Sequence, residues 1–536
     1  MLSKSELRQK KLFLDSPILK TILVVALPSI VVALMSSLYA FVDQLMMVKF
    51  IPDVLSNDQM FGPNYSVYSQ VQQTYSEQIS LINVTSVVRT AIAYSAPITV
   101  VINAASLLIA NGTAVNFSRS SGSTNKDLTR RSWALGFYMN LLFSIIITIL
   151  LLSLIEVWMK FESGNSLQDS INNLPSQLSQ DQKDAVISVY TTAFDQTHKF
   201  AIQYSYIISA GTIFSMYTSF LSLLIISEGK QTIVTCGAIV CNLINILLDW
   251  VFIYFGKLAM IGGAIATVIG WGLNAGIYFL YLYYLERKDL TQIHYQDLKS
   301  ICYSNKLSWS IFSSGLPSLF RNVSIAIAAT FQLGLLGAIT GILGGGLTNS
   351  AFQDIYGAVN PIFNLFFTAE LGIIQGSRIV CSYTYGAKNL ERFKKTYWYA
   401  MGIGFIYGWL MVILLYFALA APLLSIFNIS NSIDPVKYQY AKEILLISTL
   451  QMPVFAFSIG GMMMFQSTGR WIQASACGLM QGVFCNFTIS FLMQYLAKHY
   501  SNIHIFLWNP FVILVITSII IFAWSVTYCQ IKFKKL

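Results

Sequence analysis

Leu27-Pro28-Ser29, in the first long apolar run of the chain, recurs as Leu316-Pro317-Ser318 near the middle of the sequence. Further matches follow at one constant shift, where Pro97, Gly112, Gly122 and Asn125 align with Pro361, Gly376, Gly386 and Asn389. The two halves of the chain are therefore repeats of each other. Repeated halves of an apolar protein are typical of secondary transporters, which place their sites near the interface between the repeats.

The composition predicts an integral membrane protein. The 536 residues are 55% hydrophobic and only 10% charged, whereas soluble domains carry about 25% charged residues. A spanning helix needs about 20 apolar residues, and the chain offers twelve such stretches. We therefore predict an all-α membrane protein with twelve transmembrane helices in two pseudo-symmetric six-helix bundles. The predicted segments are 18–50, 86–117, 132–159, 199–226, 230–255, 260–285, 307–341, 350–384, 396–426, 438–466, 471–497 and 505–530.

The net charge of +10 is distributed as a topology signal. Basic residues precede the first segment and follow the second, sixth and eighth, whereas the connections 51–85 and 160–198 are rich in acidic residues. By the positive-inside rule, both termini are predicted to be cytoplasmic, in a multi-pass protein of the plasma membrane. This distribution argues against nucleic-acid binding. The basic residues concerned are Lys4, Arg8, Lys10, Lys11, Arg119, Lys126, Arg130, Arg131, Arg287, Lys288, Lys299, Lys306, Lys388, Arg392, Lys394 and Lys395.

Enzyme signatures are absent from the sequence. It has no GxxxxGK[ST] motif, its seven cysteines show no CxxC pairing, and its four histidines lack metal-ligand spacing. We therefore expect no enzyme activity, no bound metal centre and no cofactor other than a coupling ion.

Five regions follow from these patterns. They are an N-terminal cytoplasmic segment 1–17, which could lie as an amphipathic helix on the inner leaflet, a lobe 18–286, a cytoplasmic linker 287–306, a lobe 307–531 and a basic tail 532–536. The outer stretches 53–85 and 162–197 are interpreted as polar loops that tolerate insertion, with lids or partner sites as the alternative. Pro28 and Pro317, at equivalent places in the halves, are predicted helix kinks; each could serve transport or only packing.

Ionisable residues inside the membrane are candidates for function because they are costly to bury. In the first half these are Asp43 and Asp249, both toward the outer side, with Asn245 one helical turn before Asp249. Burial favours the protonated form of a carboxyl group, and a neighbouring carboxylate strengthens that effect. The group could therefore exchange a proton, or its oxygens could hold Na⁺. The structural alternative is an aspartate satisfied by hydrogen bonds between helices.

The second half carries a different set of polar residues. Glu370 and Arg321 lie at similar depths in the eighth and seventh segments, so they could form a gating or structural salt bridge, while a free Glu370 would attract a cationic substrate. Gln332 stands where the first half has Asp43. This asymmetry predicts that ion coupling belongs to the first half.

Several motifs together resemble multidrug and toxic compound extrusion (MATE) transporters. Phe41-Val42-Asp43-Gln44 is similar to their first-helix signature, and Asn242 to Asp249 to their fifth-helix motif. Gly263 to Thr267 resembles the small-residue run of their sixth helix, and Tyr383 to Asn389 the end of their eighth. Two positions depart from the family pattern: Val48 replaces a usual glycine and Trp250 a usual proline.

The resemblance implies two six-helix lobes around a central V-shaped cavity and, as in the prokaryotic proton-coupled branch, an ion site at Asp43, Asn245, Asp249 and Thr267. It also implies export of organic cations and other amphipathic compounds in exchange for protons or sodium. We expect a monomer in the lipid bilayer. The alternatives are a flippase for a lipid-linked saccharide from the same superfamily, which would carry more cationic groups in its cavity, and a non-transporting scaffold or insertase.

Overall fold

The computed structural model describes residues 4–75, 79, 81–163, 166–172, 174–299, 304–343, 349–427, 429–432 and 434–533. Every regular element within these ranges is a helix. The hydrocarbon core of a membrane contains no water that could hydrogen-bond to the backbone. The apolar runs of the chain therefore form helices, in which the backbone N–H and C=O groups bond to each other.

Twelve long helical segments cover both halves of the chain. In the first half they are α1 (Ile18–Val54), α2 (Val84–Gly122), α3 (Lys126–Ser163), α4 (Gln180–Ala210 and Thr212–Ser227), α5 (Gln231–Phe255) and α6 (Ala259–Arg287). In the second half they are α7 (Asn305–Leu343), α8 (Asn349–Gly386), α9 (Leu390–Ile426), α10 (Pro435–Ser467), α11 (Trp471–His499) and α12 (Asn509–Phe533).

Most of these segments have the length and apolarity of a membrane span. Among the described residues ten helices qualify singly, and the two parts of α4, bent by 47° at Gly211, make an eleventh. The remaining segment, α7, has 39 residues, which at 1.5 Å per residue is more than a span needs. The chain is thus a multi-pass membrane protein, as predicted.

The repeat seen in the sequence is also a symmetry of the structure. A β-carbon at Gly122 of α2 would lie 2.1 Å from the carbonyl oxygen of Tyr383 in α8. At the equivalent Gly386 of α8, it would lie 2.0 Å from the carbonyl oxygen of Arg119 in α2. The two helices therefore touch backbone to backbone through matching glycines, since only a residue without a side chain allows such an approach.

A second matching pair joins each lobe to the other. Gly112 of α2 packs against the carbonyl oxygen of Ile311 in α7, and its counterpart Gly376 of α8 packs against Val25 in α1. We call the side of the molecule with the connections 123–125, 228–230, 288–299, 387–389 and 468–470 the basic end. At this end the two lobes are held together by close contacts between α2 and α7 and between α8 and α1.

The N-terminal segment is buried at the basic end. A helix over Lys4–Lys10 continues as a π-helical turn over Lys11–Asp15. Gln9 donates a hydrogen bond of 2.6 Å to the carbonyl of Ser227, and Arg392 of the second lobe donates one of 2.5 Å to the carbonyl of Phe13. Phe13 is fully buried and contacts the ring of Tyr383. The expected position on the surface of the inner leaflet is therefore wrong, because the apolar side chain of Phe13 is covered by protein from both lobes.

A buried ion pair fixes the turn between α4 and α5. Lys230 donates to Glu228, and both side chains are almost fully buried. Gly229 between them has φ +76°, a conformation that glycine adopts without strain. Glu228 also accepts hydrogen bonds from Thr291 Oγ1 at 2.8 Å and from the backbone N–H of Gln292 at 2.5 Å. The pair thereby attaches the linker between the lobes to the first lobe.

Replacing Glu228 by Gln is expected to lower the free energy of unfolding by about 3–5 kcal/mol, because it leaves a buried lysine ammonium without its counter-charge. The matched control is Glu391→Gln, which removes an exposed pair with Lys395 and should leave the melting temperature unchanged. Thermal unfolding of both variants in detergent measures the difference. Equal shifts would show that the Glu228 pair is not a stabilising element.

The prediction of polar loops at 53–85 and 162–197 is wrong for the described residues. These stretches contain the helices Asn57–Phe61, Asn64–Thr74 and Ser166–Asn172, and α4 begins at Gln180. Tyr68 is fully buried and contacts Tyr190 of α4, while Asn64 bonds Ser188 at 3.1 Å. The apolar cluster they form continues to Met47 of α1. The extensions therefore form a packed helical cap on the first lobe.

The two repeated prolines lie inside continuous helices. Pro28 is within α1 and Pro317 within α7, and neither divides its helix into two elements. Each removes one backbone hydrogen bond from its helix. A role for them as kinks in transport stays a prediction.

Candidate ion-coupling site

Three helices of the first lobe meet around the predicted acidic residues. Asp43 comes from α1, Asn245 and Asp249 lie one turn apart on α5, and Thr267 lies on α6; all four are buried. The helices can approach closely because α6 presents small residues. A β-carbon at Gly263 would lie 3.6 Å from Asp43 Oδ1, and one at Gly270 would lie 3.0 Å from Asn245 Nδ2.

The two carboxyl groups face each other. The carboxyl groups of Asp43 and Asp249 are both buried, and they interact electrostatically. Two ionised carboxylates offer only acceptor oxygens, so such a contact requires a shared proton or a bound cation. The structure therefore places the two acids in one chamber and not on separate lipid-facing surfaces.

Several oxygens around this contact have no donor among the described residues. They are Asp43 Oδ1, both carboxylate oxygens of Asp249, and Asn245 Oδ1. Buried acceptors without donors are costly, and a proton or a small cation would satisfy them. Within the described ranges no group of three or more histidine, cysteine or acidic side chains could hold a metal ion. Na⁺ binding would draw on the oxygens of Asn245 and Thr267 in addition to the two acids.

A cavity of about 450 Å³ opens beside the acids. Its walls carry many hydroxyl and amide groups, and its volume falls in the range of small-molecule sites, about 300–1,000 Å³. It is lined by Asp43, Asn245 and Thr267 together with Ser36, Ser37, Tyr39, Gln44, Thr99, Asn103, Tyr204, Ser215, Thr218, Ser219, Asn242, Trp271 and Asn274, among others.

Tyr39 and Tyr204 also line the cavity and were not predicted from the sequence. Tyr39 shares a hydrogen bond of 2.7 Å with Thr267, so it fixes the position of the α6 hydroxyl relative to α1. Tyr39 precedes Asp43 by one helical turn, and this spacing was the available signal. Tyr204 comes from α4, and no local pattern links it to Asp43.

The residues predicted in the second lobe do not form the expected salt bridge. Arg321 donates to Asn322 Oδ1 at 3.1 Å, and both carboxylate oxygens of the fully buried Glu370 have no donor among the described residues. The pairing of Glu370 with Arg321 is therefore wrong. Gln332 is only partly buried.

A second buried arginine lies close to Arg321 and was not predicted from the sequence. Arg378 of α8 is 5% exposed and lines the same small cavity as Arg321, with Asn111, Ser318 and Gln466. It stands eight residues before the end of its helix, which by spacing alone suggested a residue near the membrane surface. The structure instead encloses it between the lobes.

The comparisons with known proteins agree with this architecture. The family model MatE matches residues 326–496. An uncharacterized MG447 homolog of Mycoplasmoides gallisepticum is 31% identical over 520 residues, covering 94% of this chain and 88% of that protein. An uncharacterized MG447 homolog of Mycoplasma pneumoniae is 26% identical over 515 residues, covering 95% and 90%.

Solved structures share the fold over the whole length. A MATE transporter crystallised in complex with MaL6 is 18% identical, with full coverage of both chains and a TM-score of 0.73. A MOP superfamily transporter from Pyrococcus furiosus, for which a reverse polarity of the binding pocket was described as suggesting a different function, is 18% identical, with 99% coverage of both chains and a TM-score of 0.72. The predicted resemblance and the two-bundle fold are confirmed: residues 326–496 match the MatE family model, the whole chain shares the fold of MATE transporters, and the chain belongs to one family with the uncharacterized MG447 homologs.

Proposed function

We propose that this protein is a secondary active antiporter that exports amphipathic organic compounds, organic cations in particular, in exchange for protons or sodium. The observation that carries the proposal is the pair of facing, buried acids Asp43 and Asp249, whose oxygens lack donors. Such a pair binds a monovalent cation in one state and repels itself when the cation leaves. That difference in energy can be coupled to a conformational change.

Alternating access follows from the arrangement of the lobes. The close contacts between α2 and α7 and between α8 and α1 seal the basic end, so substrate would enter from that side only after the lobes part. Loading of Asp43 would reposition α1, which also carries Ser37, bonded to Thr368 of α8 at 2.6 Å. Ion binding in the first lobe is thereby linked to an inter-lobe contact. We place both termini in the cytoplasm and the protein, as a monomer, in the plasma membrane.

Transport into liposomes tests the proposal. Purified protein is reconstituted, a fluorescent organic cation is added, and proton and sodium gradients are imposed separately. One of the two ion gradients should drive uptake of the fluorescent cation against its own concentration gradient. Collapsing that ion gradient should stop the uptake. Uptake that proceeds equally without either gradient would contradict ion coupling.

The flippase for a lipid-linked saccharide remains a second candidate, and one observation favours it. The sequence offered Arg321 as a single cation deep in the membrane, whereas the structure adds Arg378 beside it. Extraction of lipid-linked substrate in a flipping assay, with the same liposomes, would support this alternative over export of soluble compounds.

A further inference from the structure

Two buried arginines share a cavity between the lobes. Arg321 of α7 and Arg378 of α8 are 6% and 5% exposed, and the cavity that they line measures about 20 Å³, close to the room that one water molecule needs. The site is separate from the Asp43 cavity, which is lined by residues of the first lobe.

Among the described residues, the two positive charges have only neutral partners. Arg378 donates to Gln466 Oε1 at 3.0 Å and to Asn111 Oδ1, and Arg321 donates to Asn322 Oδ1. Arg321 Nη1 and Arg378 Nε have no acceptor among the described residues. Arginine stays charged in proteins, so two like charges are buried here with no counter-charge in contact from the part of the chain that the structure describes. Glu370 lies two turns from Arg378 on α8, about 12 Å along the helix axis.

Uncompensated buried charge is strongly unfavourable, and function is the usual reason that it is retained in a membrane. The planar guanidinium group matches the geometry of carboxylate and phosphate oxygens. Beside the arginines, Leu371, Ile374, Ile459, Met462 and Met463 form an apolar wall. Methionine side chains adapt to irregular apolar ligands.

We propose that Arg321 and Arg378 bind the oxyanion head of an amphipathic anion, a phosphate monoester or a carboxylate carried on an apolar tail. The inference rests on the proposed function, since it names a substrate class for the same exporter. An anion accepted from the basic end would neutralise the two guanidinium groups while its tail contacts the apolar wall.

Asn111 makes access to the arginines depend on whether the two lobes are closed against each other. It belongs to α2 of the first lobe, yet its Oδ1 accepts from Arg378 and its Nδ2 donates to Ser318 Oγ at 2.9 Å. The amide oxygen thus occupies the place that an anion oxygen would take. Because the closed cavity holds about one water, the anion enters only when α2 withdraws from α7 and α8. Anion binding and inter-lobe closure therefore compete for Arg378.

Calorimetric titration of the full chain in phosphatidylcholine nanodiscs tests the site with three probes that isolate charge and tail: octyl phosphate, octyltrimethylammonium and inorganic phosphate. Octyl phosphate should bind most tightly. Arg321→Gln or Arg378→Gln should weaken it about tenfold, the double variant should abolish it, and Arg378→Lys should retain part of it. Asn111→Ala should strengthen binding about fivefold, since the competing state is weakened.

Asp53→Asn is the matched control, because Asp53 is exposed and lies outside both sites, so octyl phosphate binding should be unchanged. The titration is made without an ion gradient, so failure of ion coupling remains distinguishable from failure of the anion site. Equal binding of octyl phosphate and octyltrimethylammonium, an unaffected double arginine variant, weaker binding in Asn111→Ala, or inorganic phosphate binding as tightly as octyl phosphate would each overturn the proposal. Adding phosphatidylglycerol to the nanodiscs separates the sources. If phosphatidylglycerol competes with octyl phosphate, the natural ligand is a lipid headgroup. If octyl phosphate binding is unchanged, the ligand is a free anion. Both outcomes uphold the site.

Discussion

Asp43→Asn is expected to reduce gradient-driven export to the rate of protein-free liposomes while the protein still inserts and folds. Asparagine has nearly the shape of aspartate, but it neither takes up nor releases a proton in the exchange cycle. The remaining acid, Asp249, then loses the neighbouring negative charge that strengthens its hold on a proton or cation. Transport of a fluorescent organic cation under an imposed proton or sodium gradient measures the effect.

Asp53→Asn is the matched control for this variant. Asp53 lies on the same helix but is exposed, so its replacement should leave export unchanged. Asp249→Asn should resemble Asp43→Asn, and the double variant should be no worse than either, because residues that act as one unit are not additive. Export by Asp43→Asn at the parental rate would remove this pair from the mechanism.

Gly112→Ala should shift the protein away from the state that is closed at the basic end. The added β-carbon would lie 1.9 Å from the carbonyl oxygen of Ile311 in α7, and backbone atoms cannot yield as a flexible side chain does. Overpacking of this kind costs about 1–3 kcal/mol, which corresponds to about a 5- to 150-fold change in the ratio of closed to open molecules. Hydrogen–deuterium exchange of residues 305–320 should therefore rise.

Gly402→Ala serves as the control for the same substitution in a membrane helix, because a β-carbon there meets nothing within 4 Å. Its exchange over 305–320 should match the parent. If Gly112→Ala exchanged no faster than Gly402→Ala, the contact between α2 and α7 would not be a gate.

The sequence predicted the repeat and the helices because apolar runs and matching glycines are local signals. It also brought Asp43 and Asn245 to one chamber with Asp249, since their depths follow from helix direction and spacing. It did not predict the cap, because the polar composition of 53–85 and 162–197 concealed Tyr68 and Tyr190, which bury each other when the first extension packs on α4. The pairing of Arg378 with Arg321 was missed for a related reason. A residue near a helix end is buried only if another helix packs over it. That packing depends on how the lobes meet, and the sequence of a single segment does not indicate it.

The buried position of the N-terminal segment constrains how the protein is made. Ribosomes release residues 4–15 first, yet Gln9 bonds Ser227 and Phe13 bonds Arg392, groups that are synthesised much later. The segment can complete its contacts only after Arg392 of the ninth helix has been made, so its docking between the two lobes comes late in folding. A bulky fusion ahead of residue 4 is therefore expected to obstruct this docking.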